Sequence, residues 1–177
     1  EYAPNATAIY VVGDFNGWQQ LPEYLMQNIG CGNWELKLPL DKISHGDLFK
    51  WHVYWNGGDG ERLPAYATRC VQDKKTYLFA AQVWQPEEQY KWRHKFAKKI
   101  ENPLIYEVHI GMAGEELAVA SFKHFTRNVL PHVAKMGYNT LQIMALQEHP
   151  YYGSFGYQVS NFYALSSRFG TPEEFKE

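Results

Sequence analysis

Two cysteines in 177 residues, Cys31 and Cys70, are too few for the disulfide framework of a small secreted domain. Neither belongs to a CxxC pair, so a reduced, cytoplasmic chain is expected. No apolar run approaches the ~18 residues of a membrane span. The opening "EYAPNATAIY" lacks the basic and apolar regions of a secretory signal. Positive charge is not in excess: 17 Lys and Arg against 19 Asp and Glu give a net charge of −2. That argues against nucleic acid and an anionic membrane surface as partners. No cofactor and no metal are expected.

Apolar residues are not scarce. They make up 45% of the chain, enough for a packed core. Aromatics reach 16%, with six Trp and thirteen Tyr. Such rings fill cores, and exposed ones offer flat faces on which sugar rings stack. Composition alone leaves both readings open.

The hydrophobic rhythm changes once along the chain. In "WELKLPL" the residues Trp34, Leu36, Leu38 and Leu40 alternate with Glu35, Lys37 and Pro39. In "FKWHVYW" the residues Phe49, Trp51, Val53 and Trp55 alternate with Lys50, His52 and Tyr54. Period two predicts strands with one buried face, and Trp51 and Trp55 are expected in the core. Turn signals at Gly13-Asp14, Asn16-Gly17, Gly30 to Asn33, His45 to Asp47 and Asn56 to Gly60 separate the runs. "KTYLFAAQV" (Lys75 to Val83) is expected as the last strand. The carboxylates Asp14, Glu35 and Asp59 lie in or near turns, where capping is expected. Residues 1–85 therefore predict an antiparallel β-sandwich. Residues 86–103 are polar and charged and predict a linker. Its Lys91, Arg93, Lys95, Lys98 and Lys99 read as a solvated face.

Residues 104–177 follow another pattern. "LIYEVHI" (Leu104 to Ile110) predicts a strand, and "TLQIMAL" (Thr140 to Leu146) a buried one. Between them Phe122, Phe125, Val129, Val133 and Met136 form a helical stripe, with a kink expected at Pro131 and a stop at Gly137. Strand, helix and strand in about 40 residues make a βαβ unit with parallel pairing. Thr171-Pro172-Glu173-Glu174 opens a further helix. The stretch "QEHPYYGSFGYQVSNFYAL" (147–165) is then the long loop after the second parallel strand. Ligands of parallel α/β folds bind at such strand ends.

These residues carry a resemblance. "VVGDFNGW", "GNWELKLP" and "RLPAYATR" resemble the glycogen-binding-type sandwich that precedes the catalytic barrel in branching enzymes and isoamylases. "IYEVHIGMA" and "EHPYYGSFGYQVSNFYALSSRFGTPEEF" resemble the first barrel strand and the loop after the second in the 1,4-α-glucan branching enzymes of the α-amylase superfamily. The resemblance implies an immunoglobulin-like all-β sandwich followed by the opening, incomplete part of a (β/α)8 TIM barrel.

It also implies roles. Tyr157, after Gly156, would stack on the sugar at the cleavage subsite. Asn161 would line the same site, and Trp18 would stack on glucose in the sandwich. His149 and Tyr151 either touch substrate or pack, and His109 is expected as a barrel histidine with its hydrogen bonds satisfied. The family's three catalytic carboxylates lie on later strands, and the Asp-x-x-x-x-His motif after the third strand is missing from residues 1–177. No catalytic residue is therefore assigned in this chain, and the chain alone is expected to be inactive. The partner expected from the resemblance is an α-glucan, with self-association through open barrel edges. A debranching hydrolase of the isoamylase type and a non-catalytic glucan-binding module stand as alternatives.

Overall fold

The computed structural model describes residues 1–93 and 99–177. Lys95 and Lys98 of the basic cluster lie outside the described residues; Lys91, Arg93 and Lys99 are exposed. Two compact units form, one from Glu1–Glu87 with Asn161–Ala164, the other from Glu88–Ser160 with Leu165–Glu177.

The first unit is built from β1 (Ala6–Gly13), β2 (Gln27–Gly30), β3 (Asn33–Glu35), β4 (Leu48–Trp55), β5 (Gly58–Arg62), β6 (Cys70–Gln72) and β7 (Phe79–Gln82). One sheet has the order β1-β4-β7-β6, with β5 also on β4; β2 and β3 form a separate hairpin. β1 runs antiparallel to β4 in a register that sets Ile9 opposite Val53 and Val11 opposite Trp51. Ile9 and Val11 bury against Tyr24, Met26 and Trp34, and Phe49, Trp51 and Val53 pack on that cluster. The hairpin thus covers one face of the sheet, the two-layer solution that half-apolar strands require.

Four details differ from the sequence expectation. The strand expected over 34–40 pairs only as far as Glu35. Its partner ends because the amide of Met26, just before β2, donates to Ile9 instead. Leu36 and Leu38 still pack inward, while Leu40 is exposed. The turn expected over 56–60 is only Asn56-Gly57, and the glycine-rich Gly58–Arg62 pairs with β4. The strand expected from Lys75 begins at Phe79, since the Asp73 carboxylate accepts from the amides of Lys75 and Thr76 and holds a turn there. Asp59 does not cap; it lies on β5 and meets His52 Nε2 at 2.7 Å.

The second unit starts with β8 (Ile105–His109) and continues through α1 (Phe122–His124), a five-residue π-turn (Phe125–Val129), α2 (Leu130–Lys135) and β9 (Thr140–Met144). β10 (Gln147–Glu148), β11 (Asn161–Leu165, of which Asn161–Ala164 belong to the first unit) and α3 (Pro172–Lys176) follow. β8 and β9 are parallel, from Ile105 opposite Thr140 to His109 opposite Met144. The connecting helix buries Phe122, Phe125 and Val133, whereas Met136 is exposed. The break expected at Pro131 takes the form of the π-turn: the Leu130 amide reaches back five residues to Phe125 just before the proline, which has no amide to donate. Gly137 closes the helix at φ +93°. Thr171 and Glu174 exchange cap hydrogen bonds at α3. β9 is half-buried rather than buried, and it stops at Met144 because Ala145 turns to φ +56°.

Candidate functional site

The turn carrying Trp18 is braced from several sides. Asn16 accepts from the Gly13 amide and donates to the Val11 carbonyl. The Trp18 amide donates to the Gly13 carbonyl at 2.8 Å. Trp18 itself sits at φ +60°, a left-handed conformation that costs a non-glycine residue about 1–3 kcal/mol. Asp14 holds the indole: one carboxylate oxygen accepts from Trp18 Nε1 at 2.9 Å, the other from the Leu48 amide at 2.8 Å. Lys50 Nζ stands 6.0 Å from the indole centre and pairs with Glu61 at 2.7 Å. A partly exposed ring, fixed in orientation and flanked by a donor and an acceptor, is suited to a sugar ring. Lys50 was visible in the sequence only as a polar-face residue of β4; the alternation places it opposite the core, and nothing local pairs it with Trp18.

The second candidate is the loop carrying Tyr157. A 3₁₀ turn at Tyr152–Ser154 leads into Phe155 at φ +51° and Gly156 at φ +81°. A Cβ at Gly156 would collide with Ala145, so the glycine is required both by φ and by space. Tyr157 follows with its amide bonded to Ser154 and its side chain 80% exposed. Beneath the loop, His109 meets Tyr152, Phe155 and Phe169 edge-on, with ring centres 5.8, 6.0 and 5.6 Å away. His149 is fully buried and its Nδ1 lies 2.9 Å from the Gln147 carbonyl, which is the packing alternative; Tyr151 is exposed.

Glu148, not singled out by the sequence, anchors this loop. Its carboxylate is fully buried and accepts from the Ser167 amide at 2.8 Å, Arg168 Nη1 at 3.2 Å and Ser166 Oγ at 3.3 Å. Arg168 also donates to the carbonyls of His149 and Pro150. One ion pair thereby clasps both ends of the 149–167 segment.

His109 corrects the expectation of a satisfied histidine. It is 8% exposed, yet neither ring nitrogen has a partner among the described residues. Burial, and next the neighbouring His149, push its pKa below the ordinary 6.5. The unfolded chain therefore takes up this proton at higher pH than the folded one. The contribution to stability is complete above about pH 6.5 and is lost as pH falls through the window beneath. Thermal melts between ~pH 7 and ~pH 5 should show a steeper decline for the natural chain than for His109→Leu. Parallel declines would remove His109 from the acid response.

Asn161 is 2% exposed and belongs to the first unit. Its Nδ2 donates to the Pro64 carbonyl at 3.1 Å, while its Oδ1 has no partner among the described residues. The side chain is a tie between chain segments and offers almost no surface. Tyr157 belongs to the second unit.

The profile of carbohydrate-binding module 48 (Isoamylase N-terminal domain) matches residues 1–67. Over its entire length the chain is 42% identical to the 1,4-alpha-glucan-branching enzyme of Yarrowia lipolytica, 41% to that of Saccharomyces cerevisiae and 40% to that of Felis catus. The chain is thus similar over its whole length to part of the 1,4-alpha-glucan-branching enzymes. It spans about a quarter of these relatives' length (27%, 27% and 26%). Its fold is shared by the Group B Streptococcus pullulanase SAP, with a TM-score of 0.77 at 16% identity over 99% of this chain and 28% of that one. It is also shared by the catalytic module of the pneumococcal virulence factor SpuA, with a TM-score of 0.72 at 16% identity over 99% and 32%.

Proposed function

We propose that these residues are the glucan-binding module and the opening of the catalytic barrel of an enzyme that branches α-1,4 glucan. The observation that carries the proposal is the roughly 40% identity to branching enzymes, which covers the whole chain. In this reading β8, the helical crossover and β9 are the first two strands and first helix of a (β/α)8 barrel. The complete protein cleaves an α-1,4 linkage and passes the released segment to a 6-hydroxyl. Such retaining transfer needs a carboxylate nucleophile and an acid/base carboxyl. Both are assigned to the protein beyond residues 1–177.

Within the proposal, Trp18 stacks on glucose and Tyr157 stacks on the reacting sugar. The tie made by Asn161 serves to position its neighbours rather than to touch substrate. An α-glucan is the partner, and self-association through the open edges of β8 and β9 belongs to the same proposal. Cys31 and Cys70 form no disulfide, which suits a reducing, cytoplasmic setting. An isoamylase-type debranching hydrolase would share these elements; the high identity to branching enzymes favours transfer.

Co-sedimentation of the 177-residue chain with glycogen tests the module. The chain is expected in the pellet, and Trp18→Ala should weaken retention about five- to tenfold, the value of one lost aromatic stacking contact. Equal retention of both proteins would remove Trp18 from the binding surface.

A further inference from the structure

The first unit also carries a pair of rings with no part in its core. Tyr66 and Tyr163 are 59% and 62% exposed. Their centroids are 5.5 Å apart and their planes meet at 33°. The pair is held from behind. Asn161, two residues before Tyr163, donates to the carbonyl of Pro64, two residues before Tyr66. Ala164, next to Tyr163, is buried with Ala67, next to Tyr66, in a cluster completed by Cys70 and Ala81. Segments 97 positions apart in sequence are thus locked so that two tyrosines stand side by side in solvent.

Tyr66 also borders a cleft of about 370 Å³ whose other walls include Thr68, Arg69, Gln82 and Trp84. This lining is ordered. Arg69 is nearly buried, lies 4.4 Å over the Trp84 ring and donates from Nε to Gln82 at 3.0 Å. Gln82 in turn donates to the Gly46 carbonyl. Flat rings beside fixed polar side chains match a sugar, which presents C–H faces to rings and hydroxyls to amides and guanidinium groups. A protein partner is favoured instead by a broad apolar centre.

We propose that Tyr66 and Tyr163 form an additional α-glucan subsite of the sheet unit, with the Arg69–Gln82–Trp84 cleft taking the adjoining sugar. The inclination of the rings selects a curved chain, in which successive pyranoses are tilted, over a flat β-linked ribbon. Asn161 is the positioning residue of this ledge. The inference rests on the reading of the unit as a glucan-binding module.

Electrophoresis of the intact chain through gels containing glycogen tests it. Tyr66→Ala and Tyr163→Ala should each weaken retardation about five- to tenfold. Tyr163→Phe, which keeps the ring, should migrate like the natural chain. In the unmodified chain, NMR ring signals of Tyr66 and Tyr163 should shift on adding maltoheptaose and stay in place with cellohexaose. This needs no variant to fold. If both alanine variants are retarded like the natural chain while Trp18→Ala is not, the ledge is wrong and the module reading stands. If the natural chain runs as it does without glycogen, the ledge and the module reading both fall. Unshifted tyrosine signals at saturating maltoheptaose also overturn the ledge.

Discussion

Replacing Tyr157 with alanine in the complete protein is expected to lower turnover on the order of 100-fold while leaving its melting temperature within about 2 °C of the natural value. The two effects separate because of where the ring lies. A core tyrosine cut back to alanine would leave a cavity costing about 3–5 kcal/mol. Tyr157 is 80% exposed, so its removal opens no cavity, and exposed substitutions stay within roughly 0.5 kcal/mol. Its backbone is nonetheless tightly specified by Gly156, which only glycine satisfies beside Ala145. Tyr157→Phe keeps the face and should retain most of the activity. A large melting shift with normal specific activity would return Tyr157 to a structural role.

Glu148→Leu is expected to destabilise the second unit by about 3 kcal/mol or more, the cost of leaving one partner of a buried pair uncompensated. The loss is not that of a surface ion pair, which is worth under about 1 kcal/mol. Glu148 has no exposed surface and accepts from Arg168, Ser166 and the Ser167 amide, so three hydrogen bonds are lost at once. Arg168 would still have the carbonyls of His149 and Pro150, which limits the damage. Adding Arg168→Leu should recover part of the loss, since two apolar replacements leave no stranded charge. Urea unfolding of the single and double variants measures this. A single-variant effect below about 1 kcal/mol would show that the clasp contributes little.

What the sequence revealed followed from local physics. Period-two runs placed Phe49, Trp51 and Val53 against the core, and the 3–4 spacing placed Phe122, Phe125 and Val133 on one helix face. Thr171 with Glu174 announced a helix start that the structure closes with both hydrogen bonds. What escaped was decided by partners far away in sequence. Gly58–Arg62 has little strand propensity of its own and pairs only because β4 offers an edge. Glu148 looked like a loop acid until Arg168, twenty positions on, reached it. The resemblance suggests Asn161 as a binding residue, and its bond to Pro64, 97 positions away, is one that no local pattern announces. His109 looked like a routine buried histidine, and its lack of hydrogen-bond partners among the described residues goes with three aromatic rings brought in by separate segments.

The most direct test of the central claim is the linkage content of amylose after incubation with the complete protein. Proton NMR counts α-1,6 anomeric signals while a reducing-end assay counts chain ends. A branching transferase moves segments without releasing them to water. The account predicts growing α-1,6 signal with reducing ends unchanged. Rising reducing ends without α-1,6 signal, or loss of α-1,6 linkages from amylopectin, would contradict it and assign these residues to a hydrolase.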